Sequence, residues 1–444
     1  MSLERLFQVR ARGSTVAREV VGGLTTFVTM SYVVFVHPAV LGMAGMDPGA
    51  VMVATCLASA LATALMGLWA NYPIAVAPAM GHNFYFALVV CAPVAAGGLG
   101  VPWPVALGAN FLAGCAFLAL TLTGVRERLL DAIPAPLKHA IAVGIGLLIA
   151  LVGFEWGGLV RDAPGTLVTL GDLHQPPVVI AAAGTLLTAA LLARGFRGAI
   201  LVGTLATAVA AVAAGLLPWH GLVAAPPSLA PTLGRLDVAG ALRPDLLPVI
   251  AVLFFLGLFD TIGTLVGIAG EAGLLVGGRL PHAREAMATD ALGTMAGTVL
   301  GTSTVTAYVE SAAGVAAGAR TGLASLVTAG CLLAALVLSP LARLAGQGIP
   351  VGGAMVYPIV APALIVVGSF MVRGVSRIDF ADAPGGIAAF LTIVAMPFTF
   401  SITEGIAVGS ITYAVLMLAA GRAREVHGLL WLCAVLFVLR YVWL

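Results

Sequence analysis

Four short stretches place groups able to bind a polar ligand and exchange protons inside otherwise apolar sequence. They are NYPIAVAPAMGHN (71–83), GLFDTIGT (257–264), ATDALGT (288–294) and GTSTVTAYVES (301–311). Between them they carry three acids, Asp260, Asp290 and Glu310, together with His82, Asn83 and Thr306. A carboxylate inside a membrane span costs a few kcal/mol even on lenient scales, so it faces the interior of a helix bundle for a reason. Ionised, it accepts N–H donors; protonated, it carries a proton and can donate one. Asn83 can donate and accept along one edge of a planar heterocycle. The chemistry this set allows is reversible binding of a small N–H-bearing molecule coupled to proton binding. It needs no cofactor; the proton itself is the coupling ion.

Each residue also has a plainer reading. Asp290 reads either as a proton carrier or as a hydrogen-bonding link between helices. His37 precedes Pro38 at the end of an apolar run and reads as a residue at the membrane surface. Phe84, Tyr85 and Phe259 are either packing residues or platforms for stacking a ring. Glu155 and Glu404 lie near segment ends and read as solvated. The five cysteines, Cys56, Cys91, Cys115, Cys331 and Cys433, are scattered without CxxC spacing and read as small buried hydrophobes. No P-loop, HExxH, GxSxG or Cys/His metal spacing occurs, which excludes the common hydrolytic and metal-dependent motifs; the chain does not read as an enzyme.

The elements that must position these groups are membrane helices. Hydrophobic residues make up 61% of the 444 and charged residues 9%, with a mean hydropathy of +1.09. Apolar segments long enough to span a bilayer recur throughout. The reading is an all-α polytopic protein with fourteen spans, near 20–42, 50–70, 74–95, 104–125, 138–156, 177–194, 198–218, 247–270, 286–301, 303–319, 321–342, 352–372, 383–400 and 402–421. An apolar tail, 426–444, either spans or lies in the interface. The start, MSLERLFQVRARGSTVARE, is charged and amphipathic and lacks the apolar core of a cleaved signal peptide. On this count sixteen basic residues fall at one set of ends: Arg5, Arg10, Arg12, Arg18, Arg126, Arg128, Lys138, Arg194, Arg197, Arg279, Arg284, Arg320, Arg373, Arg377, Arg422 and Arg424. Four fall at the other: Arg161, Arg235, Arg243 and Arg343. That asymmetry puts the N-terminus (1–18) in the cytoplasm of a multi-pass protein of the cell membrane.

Spans three and ten are interrupted. Pro73 and Pro78 disfavour helix, and alternating Ile74 and Val76 read as a short extended segment, with a helix starting near Gly81. Ser303–Thr306 are likewise β-prone, with a helix starting near Tyr308 and carrying Glu310. Two half-helices meeting in this way present free N–H groups and a partly positive centre. A faint internal repeat accompanies them: at one offset ATCLASALATALMG (54–67) lies over ATDALGTMAGTVLG (288–301), aligning Gly67 with Gly301. Seven spans precede the second copy, and an odd number inverts it.

GGLTTFVTMSYVVFVHPAVL, NYPIAVAPAMGHN, FDTIGTLVGIAGEAGLL, GTSTVTAYVESAAGVAAGARTGL and MPFTFSITEGIAVG resemble the purine-permease branch of the nucleobase–cation symporter-2 family, within the xanthine/uracil permease superfamily. The resemblance runs almost end to end. It implies a 7+7 inverted repeat with short strands in spans 3 and 10. A core domain (19–125 and 247–345) would carry substrate against a gate domain (126–246 and 346–425) by elevator-type alternating access. It also implies proton-coupled uptake of a purine, site residues at Asn83, Asp260 and Glu310, and homodimers formed through the gate domain. His82, Phe84, Phe259 and Thr306 would border the substrate. Glu310 is expected to contact it, with Asp260 carrying much of the proton coupling, or the two roles exchanged; Asp290 is a further coupling candidate. No nucleic-acid partner is expected; the partners are the nucleobase and the bilayer.

Three departures from the family pattern stand out. The chain reads LGLFDT where the family reads VDLFDT, MGHNFYF where it reads MGLNAFF, and VHP where it reads VNP. Gly257 therefore replaces an acid one turn before Asp260, and His82 faces the site from span 3. An uncoupled facilitator on the same fold, or a carrier of another heterocycle or a small anion, are the competing expectations.

Overall fold

A computed structural model describes residues 3–123, 134–163, 165–196, 198–219, 221–272, 274 and 280–443. Arg126, Arg128, Arg197 and Arg279, used in the charge count above, lie outside the described residues. The chain is mostly helical. Its principal helices are α1 (Val16–Met30), α2 (Val33–Gly42), α3 (Pro48–Leu65), α4 (Met80–Phe84), α5 (Trp103–Thr123), α6 (Ala135–Trp156), α7 (Pro176–Ala193), α8 (Ala199–Ala213), α9 (Leu247–Glu271), α10 (Ala283–Leu300), α11 (Ser311–Ala316), α12 (Gly322–Ala334), α13 (Ala361–Val372), α14 (Ala383–Thr399), α15 (Ile402–Ala419) and α16 (Gly428–Trp443). Among the described residues, six helical stretches are long and apolar enough to cross a membrane, and five shorter apolar helices accompany them. Most of these helices are apolar on nearly all sides, as expected where lipid or other helices surround them; α1, with Arg18 and Glu19 in its first turn, is amphipathic.

Two compact units emerge, one of residues 1–122 with 156–363 and one of 123–155 with 364–444. In the first, small residues let helices meet at backbone distance. A Cβ on Gly67 would lie 2.5 Å from the carbonyl oxygen of Gly322, and one on Gly22 would lie 2.5 Å from the Cβ of Ala319. Charged groups tie the ends of these helices. The Glu19 carboxylate accepts from the backbone N–H groups of Arg320 (2.9 Å) and Thr321 (3.2 Å), and Arg12 donates to the carbonyl of Asn71 at 2.7 Å. The second unit is built on the α14–α15 hairpin. Asp382 caps α14 by accepting from Gly385, with Pro384 in the first helical turn. Arg422 donates to Asp382 at 2.5 Å and to Glu425 at 2.8 Å, which holds both carboxyls below their ordinary range. On α16, Tyr441 donates to Glu404 on α15. Glu404 is therefore half-buried and bonded rather than solvated, while Glu155 is exposed.

The two interruptions expected in spans 3 and 10 are a sheet. Strands β1 (Val76–Pro78) and β2 (Val305–Ala307) pair antiparallel, with Ala77 opposite Thr306. The pairing is extended by Ala79 N–H donating to Thr304 O at 3.0 Å and Tyr308 N–H donating to Ala75 O at 2.9 Å. Extended backbone at membrane depth survives only with every polar group partnered, and side chains supply what the short sheet lacks. Thr63 of α3 both donates to Val76 O and accepts from Val76 N–H, each at 3.0 Å. Thr294 of α10 does the same for Val305, at 3.0 and 3.1 Å. Ser325 covers Tyr72 O and Ile74 O. Thr63 and Thr294 thus make the same pair of contacts to the two strands, although the offset read from the sequence sets Thr63 against Gly297.

Candidate functional site

The helix after β2 begins at Ser311 rather than near Tyr308, so Glu310 is the residue that precedes it, in helical backbone conformation. α4 runs without a break into a π-helical segment, Tyr85–Val90, while α11 is six residues long. Hydroxyl donors organise the two carboxylates of the site. Tyr32, at the turn between α1 and α2, donates to Glu310 Oε1 at 2.7 Å. Thr29, one turn earlier, donates to Glu310 O at 3.3 Å. Thr306, on β2, donates to Asp260 Oδ2 at 3.1 Å. Asp260 is exposed and Glu310 half-buried, although both stand within apolar segments.

Asp290 lies at the edge of the same strand that β1 leaves free. Its Oδ2 accepts from Thr261 Oγ1 at 2.7 Å and from Ala307 N–H at 3.1 Å. Neighbouring residues of α9, Asp260 and Thr261, are thus joined to neighbouring residues of β2, Thr306 and Ala307, through two carboxylates. Thr306 makes its contact through its side chain and Ala307 through a backbone N–H on the strand edge turned away from β1, so α9 is pinned to β2 at two points. In this structure Asp290 is a hydrogen-bonding link between helix and strand. Asn83 is fully buried; its amide oxygen accepts from Ser303, and its amide nitrogen makes only a weak 3.5 Å contact to Met80 Sδ. Thr304 donates to Asn110 at 2.5 Å.

The remaining expected residues divide. Phe84 is buried and meets Trp156 edge-on, at 6.2 Å between ring centroids, and Trp156 packs in turn on Tyr357 at 4.9 Å. That is the geometry of packed aromatics. Tyr85 is buried, and the side chain of Phe259 lies outside the described residues. His82 is buried, with Nε2 lacking a partner. His37 is fully buried and bonded to Thr302 at 2.7 Å, not at the surface; the following proline sits inside α2 instead of ending it. Tyr32, Ser303 and the Thr63/Thr294 pair were not anticipated. The signal available for Tyr32 was the cluster of hydroxyls in TTFVTMSY (25–32) inside an apolar run.

With this geometry in hand, similarity to known proteins is informative. Residues 17–408 match the xanthine/uracil permease model, described as a permease family. The chain is 40% identical to the adenine permease AdeP of Escherichia coli, over 100% of this chain and 96% of that one. It is also 40% identical to the guanine/hypoxanthine permease PbuG of Bacillus subtilis, over the full length of both. Among solved structures, the transmembrane domain of the cyanobacterial bicarbonate transporter BicA matches with a TM-score of 0.62 at 16% identity, covering 88% of this chain and 97% of that one. At such identity the last match speaks to the fold alone. The full-length relatives and the family match make this chain a multi-pass membrane permease, not an enzyme, and a member of the nucleobase–cation symporter-2 (xanthine/uracil permease) family.

Proposed function

We propose that the protein imports a purine nucleobase by proton symport. The observation that carries this reading is the placement of two carboxylates, Asp260 and Glu310, on elements joined through β2, each already steadied by one hydroxyl donor. A purine offers ring and exocyclic N–H donors, and both carboxylates keep acceptor capacity for them. The hydroxyl partners suit a group that cycles its proton: Thr306 can donate to ionised Asp260 and, by rotating, accept from the protonated acid. Two acids at the site disfavour an anionic cargo.

Glu310 is assigned to substrate and Asp260 to the proton, with Asp290 holding α9 on β2. The remainder of the proposal is architectural. Fourteen spans form a 7+7 inverted repeat, with a core domain moving substrate against a gate domain by an elevator motion, in a cell membrane with the N-terminus cytoplasmic. Homodimers form through the gate. The reciprocal Thr63 and Thr294 contacts about an antiparallel strand pair support the local two-fold.

Uptake of labelled hypoxanthine, guanine and adenine into proteoliposomes, with and without a proton uncoupler, tests the reading. Concentrative uptake that the uncoupler abolishes supports symport. Uncoupler-insensitive equilibration replaces it with a facilitator, and competition by none of the purines overturns the cargo.

A further inference from the structure

His82 on α4 is 2% exposed, and its Nε2 has no hydrogen-bond partner. Among the described residues, a Cβ built on Gly257 would find one atom within 4 Å outside its own helix, His82 Nε2 at 3.7 Å. The missing side chain at 257 therefore opens a gap on α9, walled by an unspent imidazole nitrogen. A buried polar atom left without a partner is costly, so such a gap calls for an occupant that supplies one. Asp260 stands one helical turn further along the same face of α9, about 5 Å up the axis.

The hydroxyl donors here are already committed: Thr306 donates to Asp260, Tyr32 to Glu310 and Ser303 to Asn83. The carboxylates supply acceptors, and a ligand's carbonyl needs a donor. The Asn83 amide nitrogen is spent on a weak contact to Met80, whereas His82 Nε2–H has no partner and faces the space at Gly257.

Resting on the purine reading above, we infer that His82 and Gly257 select 6-oxopurines (hypoxanthine, guanine or xanthine) over adenine. A 6-oxopurine presents C6=O beside N1–H on one edge. The carbonyl accepts from His82 in the space left by Gly257, and N1–H donates to Asp260 one turn away. Adenine reverses this edge, offering an amino donor where His82 donates and a ring acceptor where Asp260 accepts. Overall similarity does not make this choice, since adenine and guanine/hypoxanthine permeases are equally identical to the chain.

The test is counterflow of labelled hypoxanthine and adenine by the full chain in proteoliposomes, which needs no coupling ion. Hypoxanthine should exceed adenine by roughly tenfold, the worth of one good hydrogen bond. His82→Leu should erase that preference. His82→Gln, which places an amide N–H near the Nε2 position, should keep most of it. Gly257→Asp, which sets an acceptor against His82 and occupies its proton, should erase it as well. If His82→Leu fails to fold, as judged by melting in detergent, the other two variants decide. Adenine preference in the wild type, or an unchanged ratio in Gly257→Asp, overturns the inference while leaving purine transport standing. Counterflow of neither purine overturns both.

Discussion

Replacing Glu310 with Gln isolates what the site asks of this residue. The carboxylate accepts the Tyr32 hydroxyl at 2.7 Å through Oε1, leaving Oε2 for a ligand. Gln keeps the volume and can still satisfy Tyr32 through its amide oxygen, so folding should survive. Its NH2 group then occupies the ligand side, where an acceptor has become a donor facing the purine N–H. Each charge-assisted bond lost at such a position costs about 1.5–3 kcal/mol, or about ten- to over a hundredfold in affinity. Binding of labelled hypoxanthine to the purified protein, alongside its melting temperature in detergent, measures both quantities. The expected result is a melting temperature close to wild type with binding weakened by at least about tenfold. Tyr32→Phe should weaken binding less, because it removes the steadying donor and leaves the acceptor. A Glu310→Gln protein that binds and transports like wild type would remove Glu310 from the site and refute the reasoning.

Asp260→Asn cannot titrate and offers the purine N1–H only a neutral acceptor, so it should still exchange labelled substrate across the membrane, with weakened affinity, but fail to concentrate it; retained accumulation with acidification would move coupling elsewhere. Asp290→Ala leaves the Thr261 hydroxyl and the Ala307 N–H without their acceptor. At about 1–3 kcal/mol each, thermal stability should fall clearly, and Asp290→Asn should fall less; equal melting of all three proteins would rule out the linking role. In the second unit, Arg422 holds the Asp382 and Glu425 carboxyls below their ordinary values, 3.8 for Asp382. Depressed acids stabilise the fold above the unfolded value and lose that contribution as pH falls through the folded one. Arg422→Ala should therefore melt lower than wild type near neutrality and converge with it below pH 3.8; a gap that persists in acid would show that Arg422 acts by packing.

How legible this was in the sequence varied with the residue. Proline and β-branched residues marked both strands, because Pro73 and Pro78 exclude helix and Ser303–Thr306 favour extension. Asp260, Asp290 and Glu310 announced themselves as acids in apolar surroundings. Tyr32 did not, since an aromatic residue in a hydrophobic run looks like packing until its hydroxyl finds Glu310. His37 was misplaced because a histidine before a proline suggests a segment end, whereas α2 continues through Pro38. The start of α11 was set too early. Tyr308 is held by backbone pairing to Ala75 and by its own hydroxyl donating to Pro78 O at 2.6 Å, contacts made across the whole chain and invisible to local propensity.

The β1–β2 pair also bears on how the protein is made. β1 ends at Pro78, and its partner does not begin until Val305. At ordinary synthesis rates, on the order of ten to fifty seconds separate them. During that interval Val76 can use Thr63, which lies within the same newly inserted helical hairpin. Ala75 O and Ala79 N–H, however, await Tyr308 and Thr304, and Tyr72 O and Ile74 O await Ser325. Unpartnered backbone in hydrocarbon costs several kcal/mol per group. The first half of the chain is thus inserted before it can finish folding. It depends on the translocation machinery or on trapped water until the second half arrives, and the two halves made as separate polypeptides would each be a substrate for membrane proteases unless they met.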